Sequence, residues 1–236
     1  MNFNLDFLRF RFIALIASVS FILVSLATIS IQQLQLGLDF TGGTLVEVGF
    51  SETVDPEEIR TYLEGKQIDA LVQAFGSDKD LLIKIPSSEN IENANIVIDS
   101  LQQQYSFQLR RSGFVGPQVG GELRDQGGLG LLAALLVMMI YIMFRFQYKF
   151  AIGAVVALFH DVLIVLGIFS ILRLEFDLSV LAALMAVIGY SLNDTIVVSD
   201  RIRENFRAKR KLNSEQVINR SLNNTLGRTL ITSLTT

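Results

Sequence analysis

The sequence contains no cysteine and only one histidine among its 236 residues. It therefore forms no disulfide, has no thiol nucleophile and lacks the ligands of the usual zinc sites. The HExxH, GxSxG and Walker-type patterns of metalloproteases, serine hydrolases and nucleotide-driven motors are missing as well. We therefore expect no enzyme active site and no bound cofactor. The energy for any work must come from a source other than ATP hydrolysis.

Hydrophobic residues, in contrast, are abundant. They make up 50% of the chain, and the mean hydropathy is +0.45. A water-soluble monomer needs a largely polar surface, so this composition argues against a soluble protein and indicates a membrane protein. The formal net charge of -3 hides a segregation of acidic and basic residues along the chain, and this segregation bears on topology.

Four apolar stretches are long enough to cross a hydrocarbon core, which takes about 20 helical residues. They cover residues 12–31, 127–144, 150–172 and 178–199. The first stretch also has the basic flank of a signal peptide, but its run is long for that role and no A-x-A-like cleavage site follows it. We therefore predict four transmembrane helices.

Basic residues flank these stretches at three places. Arg9 and Arg11 precede the first span, Arg145 and Lys149 separate the second from the third, and six Lys or Arg residues lie within 201–211. The positive-inside rule assigns such flanks to the cytoplasm.

The segment between the first two spans has the opposite balance. Residues 32–126 carry 15 Asp and Glu against 7 Lys and Arg, and the short turn between the last two spans has no basic excess. A single topology, in which successive segments alternate between the two sides of the membrane, agrees with the charges that flank every span. It places residues 1–11 and 200–236 in the cytoplasm and makes 32–126 a periplasmic or extracellular domain.

Within this outer domain the hydrophobic pattern changes from continuous to mixed. Asp55 is predicted to cap a helix that has Pro56 in its first turn. The predicted order is strand, helix, strand, strand, helix and strand, at residues 45–50, 55–64, 68–75, 81–85, 88–104 and 106–115. This βαββαβ order is typical of a ferredoxin-like α+β domain, an antiparallel sheet with two helices on one face.

Two spans carry polar residues at depths where such groups are costly. His160 and Asp161 lie near the middle of the third span, and Asn193 and Asp194 lie toward the cytoplasmic end of the fourth. Ionisable groups at such depth cost at least ~2.5 kcal/mol each and usually mark an ion or proton path. Interhelical hydrogen bonding is the alternative for His160, Asp161 and Asn193. For Asp194 the alternative is an interfacial charge that reaches the cytoplasm.

Small residues share a helix face with these polar groups. Gly153 and Ala157 lead to Asp161, and Ala182, Ala186 and Gly189 lead to Asn193. Small side chains let helices approach closely. We therefore expect the polar groups to face other helices and not lipid.

The segment after the fourth span is basic and then amphipathic. Positive-inside anchoring explains the basic residues of 201–211, and binding to anionic lipid is the alternative. Asn213 and Gln216 have the spacing of a capping box. An apolar stripe follows at Ile218, Leu222, Leu226 and Leu230. We predict an amphipathic helix along the inner membrane surface, with Arg228 nearer its other side.

A glycine-rich segment follows the first span and contains Asp39, Gly42 and Gly43. Adjacent glycines predict a turn that leads into the first strand of the outer domain. The alternative is a turn that contacts substrate or moves with the domain.

Five motifs follow one another along nearly the whole chain. They are GLDFTGG at 37–43, FVGPQVG at 114–120, the pair His160 and Asp161, IGYSLNDTIVVSDRIREN at 188–205 and SLNNTLGRTLITSLTT at 221–236. Together they resemble the SecF family, the smaller subunits of the SecD–SecF protein-export complex.

The resemblance implies a resistance-nodulation-division protein of the bacterial cytoplasmic membrane. Members work with SecD beside the SecYEG channel and its accessory YajC. They use the proton-motive force to complete the export of unfolded preproteins that SecA has pushed through the channel. The membrane lipid is a further implied partner, whereas nucleic acid is not. The proton gradient takes the place of a cofactor.

The resemblance also assigns individual residues. Asp194 matches the family's proton-carrying carboxylate, and Arg228 matches the arginine that accompanies it. The outer domain is implied to sense or transmit motion. Because the family has six spans, we expect two further spans after Thr236.

These features give one hypothesis and two rivals. In the hypothesis, protonation of Asp194 changes how the fourth span packs against SecD and so moves the outer domain, while Asp161, Asn193 and Arg228 tune the carboxyl group or hold its water path. The first rival is a scaffold that only assembles SecD with the channel. The second is a small-molecule exporter of the same superfamily.

Overall fold

A computed structural model describes residues 5–86, 92–145, 148–208 and 212–235 of the chain. Residues 88–91 of the predicted second outer helix and 209–211 of the basic run lie outside the described residues. The chain divides into two units. The helical unit takes its described residues from Met1–Gln35, Ala133–Leu174 and Val180–Thr236, and the sheet unit takes them from Leu36–Leu132 and Glu175–Ser179.

Helices dominate the described chain, and a 3-10 turn at Phe7–Phe10 precedes the first of them. The helices are α1 (Arg11–Gln32), α2 (Leu38–Thr41), α3 (Pro56–Gly65), α4 (Glu92–Gln102), α5 (Pro117–Arg145), α6 (Tyr148–Ile171), α7 (Leu178–Ala208) and α8 (Ser214–Thr235). The strands are β1 (Gln35–Leu36), β2 (Gly43–Phe50), β3 (Leu71–Phe75), β4 (Ser77–Pro86), β5 (Phe107–Val115) and β6 (Glu175–Phe176).

Among the described residues, four helices are long and apolar enough to cross a membrane. They are Phe7–Gln32, Pro117–Arg145, Phe150–Ile171 and Leu178–Ala208. This result confirms the prediction of a mainly helical chain with four candidate spans. The largest extensions beyond the predicted apolar stretches are those of α5 and α7. α5 begins at Pro117, because proline suits a first helical turn, and α7 continues to Ala208, because no glycine or proline interrupts residues 200–208.

In the helical unit, α1 packs along α6. Ser25 of α1 and Ser170 of α6 are both buried. Ser170 Oγ donates a hydrogen bond of 2.9 Å to the carbonyl oxygen of Gln33, just after the end of α1. Carbonyl groups at a helix end lack partners within the helix, so this bond satisfies one of them and joins the ends of the two helices.

The sheet unit is built on a four-stranded antiparallel sheet with the strand order β3-β4-β2-β5. In its central pair Val46 of β2 lies opposite Ile83 of β4, and both side chains are fully buried. Along the chain the elements follow in the order β2, α3, β3, β4, α4 and β5. Apolar residues of α3 and α4 pack with those of the sheet in one hydrophobic cluster, which indicates that both helices cover the same core.

The start of α3 agrees with the local sequence signal, but the next strand begins later than predicted. Asp55 accepts a hydrogen bond of 2.9 Å from the N–H of Glu57, and Pro56 follows in the first turn, so the predicted cap is confirmed. The predicted strand at 68–75 begins only at Leu71. Gln67 has a φ of +64°, and the chain there closes the end of α3 and reverses before it becomes extended.

An aromatic cluster lies beside this core. The rings of Tyr62 and Tyr105 meet edge to face with centroids 5.6 Å apart, and the Tyr105 hydroxyl donates to Glu58 at 2.9 Å. Burial and this hydrogen bond to Glu58 raise the pKa of Tyr105 above its ordinary value. Folding therefore favours the protonated phenol, and that contribution is lost as the pH rises through the folded-state pKa.

We expect Leu81→Ala to lower the free energy of unfolding of the sheet unit by about 2–5 kcal/mol, because the truncation leaves a cavity. Leu81 of β4 is 0% exposed, whereas Leu109 of β5 is 46% exposed. The matched variant Leu109→Ala is expected to change stability by about 0.5 kcal/mol or less. Hydrogen–deuterium exchange of β2 and β4 amides measures both effects in the whole chain. Equal protection in the two variants would contradict this core.

Candidate functional site

A cluster of polar side chains joins α6 to α7. The Nδ1 atom of His160 lies 3.0 Å from Oδ1 of its neighbour Asp161. The other carboxylate oxygen of Asp161 accepts a short hydrogen bond from the hydroxyl of Ser191 on α7. All three residues are partly buried. The carboxyl group of Asp161 therefore has contacts on both oxygens, and one of them crosses between the helices.

Ser191 was missed by sequence reasoning. It lies three residues before Asp194 on α7, a spacing that places both side chains on neighbouring positions of one helix face. The available signal was a hydroxyl group one turn from an intramembrane carboxylate. What the sequence alone did not specify was that Asp161 of α6 lies opposite that hydroxyl.

Asp194 differs from Asp161 in its surroundings. Its residue is half-buried, its Oδ1 atom is buried, and within the described part of the chain this oxygen has no hydrogen-bond partner. A buried polar atom without a partner carries a desolvation cost of about 1–3 kcal/mol, and more when it is charged. The two carboxyl groups of α6 and α7 therefore differ in how far their oxygens are satisfied.

Arg228 is not brought to Asp194. It lies on α8 and its side chain is exposed, while its carbonyl oxygen accepts a hydrogen bond of 3.0 Å from Thr232. Among the described residues, no hydrogen bond or ion pair joins the guanidinium group of Arg228 to the Asp194 carboxyl group. The two residues that the family resemblance links are thus separate in this conformation.

Asn193 also departs from the expectation that it faces another helix. The side chain is exposed, and Ala182 and Ala186 on the same face of α7 are exposed too. The buried positions in the apolar part of α7 are Leu181, Leu184 and Ile188. Within the described residues, larger apolar side chains make the contacts of α7, and Asn193 lies on an exposed face. Gly153 of α6 is exposed as well.

The packing face of α8 differs from the predicted apolar stripe. The expected capping box is confirmed, since Asn213 and Gln216 exchange hydrogen bonds between side chain and backbone N–H at 2.8 and 3.3 Å. The residues that α8 buries are Val217, Ser221 and Thr225, whereas the leucines of the stripe are only partly buried or exposed. The small residues allow a close approach in which Asn205 of α7 donates to Ser221 at 2.8 Å.

The N-terminal segment is bonded to the polar side of α8. The amide side chain of Asn223 both accepts from the N–H of Leu5 and donates to its carbonyl oxygen, each at 2.8 Å. Arg11 forms an ion pair of 2.6 Å with Glu215. These bonds give the polar residues of α8 protein partners. The helix is therefore held by both polar and apolar contacts, and not by an apolar face alone.

Asp39 has a structural partner in the sheet unit. Its Oδ2 atom accepts a hydrogen bond of 3.2 Å from the N–H of Leu178, the first residue of α7. The first amides of a helix have no partner within the helix, and a negative charge is favourable at that end. Asp39 therefore caps α7 from a distant point in the sequence. Beside it, Phe40 stacks on Phe176 with ring centroids 6.1 Å apart.

The two glycines after Asp39 are buried, and both are required by close packing. A Cβ atom on Gly42, whose φ is +74°, would lie 2.7 Å from Cα of Pro117 at the start of α5. A Cβ atom on Gly43, whose φ is +145°, would lie 2.4 Å from the carbonyl oxygen of Ile85. These distances are shorter than real contacts allow. The geometry thus gives this turn a packing role.

Glu175 attaches the segment before α7 to the sheet. Its carboxylate forms a short ion pair with Lys84 of β4, and both side chains are mostly buried. Gln73 of β3 donates to the other oxygen of Glu175 at 3.4 Å. The segment at residues 175–178 therefore contacts the sheet through Glu175 and the glycine turn through Asp39 and Phe40.

Comparison with known families gives two matches. The model of the family "Protein export membrane protein SecD/SecF, C-terminal" matches residues 96–236. The SecD/SecF GG motif matches residues 28–54, a range that contains Gly42 and Gly43.

Similar curated proteins carry the name protein translocase subunit SecF. The one from Vibrio alginolyticus is 45% identical over 239 residues, which cover 99% of this chain and 76% of the relative. The one from Pseudomonas aeruginosa is 45% identical over 237 residues, which cover 99% of this chain and 77% of the relative. The chain thus spans about three quarters of the length of these relatives.

Similar solved structures are those of SecDF. SecDF from Thermus thermophilus, described as a translocon-associated membrane protein, matches with a TM-score of 0.88 and 33% identity over 99% of this chain. SecDF in a super-membrane-facing form matches with a TM-score of 0.71 and 33% identity over the full chain. The chain spans about a third of the length of these SecDF chains, namely 32% and 33%.

We expect Gly43→Ala to destabilise the sheet unit, with about 1–3 kcal/mol from backbone strain alone and a further cost from the clash with Ile85. Gly113→Ala is the matched control, because a Cβ atom on this glycine of β5 would meet open space. Thermal unfolding followed by protease sensitivity of the sheet unit measures both variants. If Gly43→Ala left stability unchanged but abolished function, the turn would be a contact site and its packing role would be wrong.

Proposed function

The chain belongs to the SecD/SecF family of protein-export membrane proteins and is an accessory subunit of Sec translocation, and we propose that it couples the proton-motive force to late preprotein translocation. In this proposal it works with a SecD partner beside the SecYEG channel, together with YajC and indirectly with SecA. The proton gradient supplies the energy, and no bound cofactor takes part.

The observation that carries this proposal is the buried oxygen of Asp194 that has no partner among the described residues. An ionised carboxylate with such an oxygen is poorly stabilised, and binding a proton removes the charge. The protonated and ionised states therefore favour different surroundings for α7. A proton that enters from one side of the membrane and leaves to the other can shift the equilibrium between two arrangements of this helix.

Ser191, Asp161 and His160 support that step from the adjacent helix. The Ser191 hydroxyl is held by Asp161, one helical turn from Asp194, and a hydroxyl group both donates and accepts hydrogen bonds. The cluster therefore provides exchangeable protons beside the Asp194 carboxyl group. It also fixes α6 against α7 at the depth where the proton is exchanged. In this proposal Ser191 and Asp161 position the proton path, and Asp194 carries the proton.

In this proposal Arg228 acts on Asp194 only while the Asp194 carboxyl group is ionised. A cation near a carboxylate stabilises its charged form, but the two side chains are not paired in this conformation. In this proposal the two side chains pair in a second arrangement of α7 and α8, in which the buried contact between Asn205 and Ser221 is rearranged.

The membrane potential supplies enough energy to shift α7 between two arrangements that differ by a few kcal/mol. Moving one elementary charge across the membrane potential supplies roughly 2.3 kcal/mol per 100 mV. A two-state element that differs by a few kcal/mol is shifted substantially by that amount. No nucleotide is needed.

The uncovered face of α7 supports a partner subunit. Asn193 is polar, and with Ala182 and Ala186 it forms a face that this chain leaves exposed. A polar amide facing hydrocarbon without a partner is unfavourable, and small residues suit close contact between helices. We assign this face to contact with SecD. The match of this chain to about a third of a SecDF chain supports that assignment.

The topology follows from the flanking charges. We place the N-terminus and α8 in the cytoplasm of a bacterial cell with the sheet unit on the periplasmic side of the inner membrane. The strand order β3-β4-β2-β5 supports a ferredoxin-like class for the sheet unit. In this proposal α5 and α7, which contribute residues to both units, convey the change at Asp194 to the sheet unit.

We expect Asp194→Asn to abolish the stimulation of preprotein export by the proton-motive force, because an amide cannot gain and lose the proton. ATP-driven export by SecA is expected to persist. The measurement is export into inverted membrane vesicles with and without an imposed gradient. Asp125→Asn is the control, because Asp125 is exposed and pairs with its neighbour Arg124. Undiminished stimulation in Asp194→Asn would overturn the proton-coupling role. Full assembly of the subunits in that variant would then favour the scaffold.

For Ser191→Ala we expect gradient-dependent export to slow by about tenfold, because the carboxylate of Asp161 loses a charge-assisted hydrogen bond worth about 1.5 kcal/mol or more. Ser191→Thr retains the hydroxyl and is expected to keep most of the activity. The same vesicle assay measures both variants. A slow Ser191→Thr together with a normal Ser191→Ala would show that the size of the side chain matters and the hydroxyl does not.

A further inference from the structure

A polar cavity lies where two spanning helices of the helical unit end. It has a volume of about 710 Å³ and is lined by Arg145, the last residue of α5, and by Asp200, Arg203, Glu204, Arg207 and Ala208 of α7. Three of these six residues are arginines. The cavity is separate from the cluster around Asp161 and plays no part in the proton path proposed above.

The acidic residues of the cavity are already paired. Asp200 forms an ion pair of 2.9 Å with Arg145. Glu204 pairs at 2.8 Å with Arg201, which is not among the residues that line the cavity. Within the described part of the chain, neither Arg203 nor Arg207 has an ion pair or a side-chain hydrogen bond. Two guanidinium groups of the cavity therefore have no acidic partner among the described residues.

The spacing of these two arginines concentrates their charge. Arg203 and Arg207 are four residues apart on α7, so their side chains project from the same face of the helix. Like charges at this spacing repel each other in the absence of an anion. A bound anion between them would remove the repulsion. The guanidinium group also matches phosphate oxygens with paired hydrogen bonds, which lysine does not provide.

The position of the cavity along α5 and α7 indicates its depth relative to the membrane. Arg145 directly follows the apolar stretch that ends at Phe144, and Asp200 directly follows the stretch that ends at Ser199. Both stretches are long enough to fill the hydrocarbon core. The cavity therefore opens at the level of the phospholipid headgroups, where phosphate groups are the most abundant anions.

We propose that this cavity binds the phosphate group of an anionic phospholipid, with Arg203 and Arg207 as its ligands. Arg145 and Asp200 form the wall that holds α5 against α7 at this level. Arg203 and Arg207 line the cavity, whereas Arg201 of the same basic segment does not. The site is therefore a specific headgroup site and differs from general attraction between the basic segment and the membrane surface. The proposal does not depend on proton coupling at Asp194.

The test is native mass spectrometry of the full chain, purified in mild detergent with the subunits that remain bound. Phosphatidylglycerol is added, and phosphatidylcholine is added in parallel. Arg203→Gln and Arg207→Gln are each expected to weaken the retention of phosphatidylglycerol about fivefold, as the loss of one basic contact at a membrane surface predicts. The control Arg220→Gln removes the same charge from an exposed arginine of α8 and is expected to stay within about twofold.

Three further results decide the outcome. Equal losses in all three variants would overturn the site, because they would indicate attraction by surface charge alone. Retention unchanged in Arg203→Gln and Arg207→Gln, with thermal unfolding as in the parent chain, would overturn it as well. Inorganic phosphate is the third probe. If it binds to the parent chain and not to these two variants, and no preference for phosphatidylglycerol is seen, the phosphate chemistry of the site stands and its source is a soluble anion.

Discussion

The cost of a charge in a medium of low dielectric constant organises the helical unit. Arg145 and Asp200 are paired where α5 and α7 leave their apolar stretches. Asp161 lies within the apolar stretch of α6 and Asp194 within that of α7, and the two carboxyl groups differ in their partners. Asp161 has contacts on both oxygens, whereas Asp194 has one buried oxygen without a partner among the described residues. One carboxyl group is thus held on both sides, and the other has a buried oxygen that no described group satisfies.

The fold was predictable where a signal is local. Continuous apolar stretches indicated the four candidate spans, and Asp55 with Pro56 marked the start of α3. The boundaries of the helices and strands were harder to predict. The strand predicted from residue 68 begins at Leu71, because the positive φ of Gln67 reverses the chain, and no hydrophobic pattern encodes that reversal. α7 outlasts its apolar stretch because helical hydrogen bonds are indifferent to the polarity of the side chains.

The sequence predicted where the candidate site residues lie along their helices, but it did not predict which side chains they contact. Periodicity located His160, Asp161 and Asp194 along their helices, yet it did not identify Ser191 as the residue opposite Asp161. The same limit applies to α8. Its leucines gave the clearer hydrophobic signal, but small residues such as Ser221 form the buried face, because close approach and a hydrogen bond to Asn205 outweigh apolar area at that contact. Which face packs depends on the neighbouring helix, and that helix is remote in sequence.

The cap that Asp39 provides for α7 has a consequence for biosynthesis. Its partner Leu178 lies 139 residues further along the chain, and Glu175 and Phe176 of the same sheet unit arrive equally late. A ribosome completes β2 to β5 long before it makes this closing segment, and α5 and α6 are synthesised in between. Native contacts of such long sequence separation form slowly. The sheet unit therefore reaches its final packing only after the segments that form α5 and α6 have been synthesised.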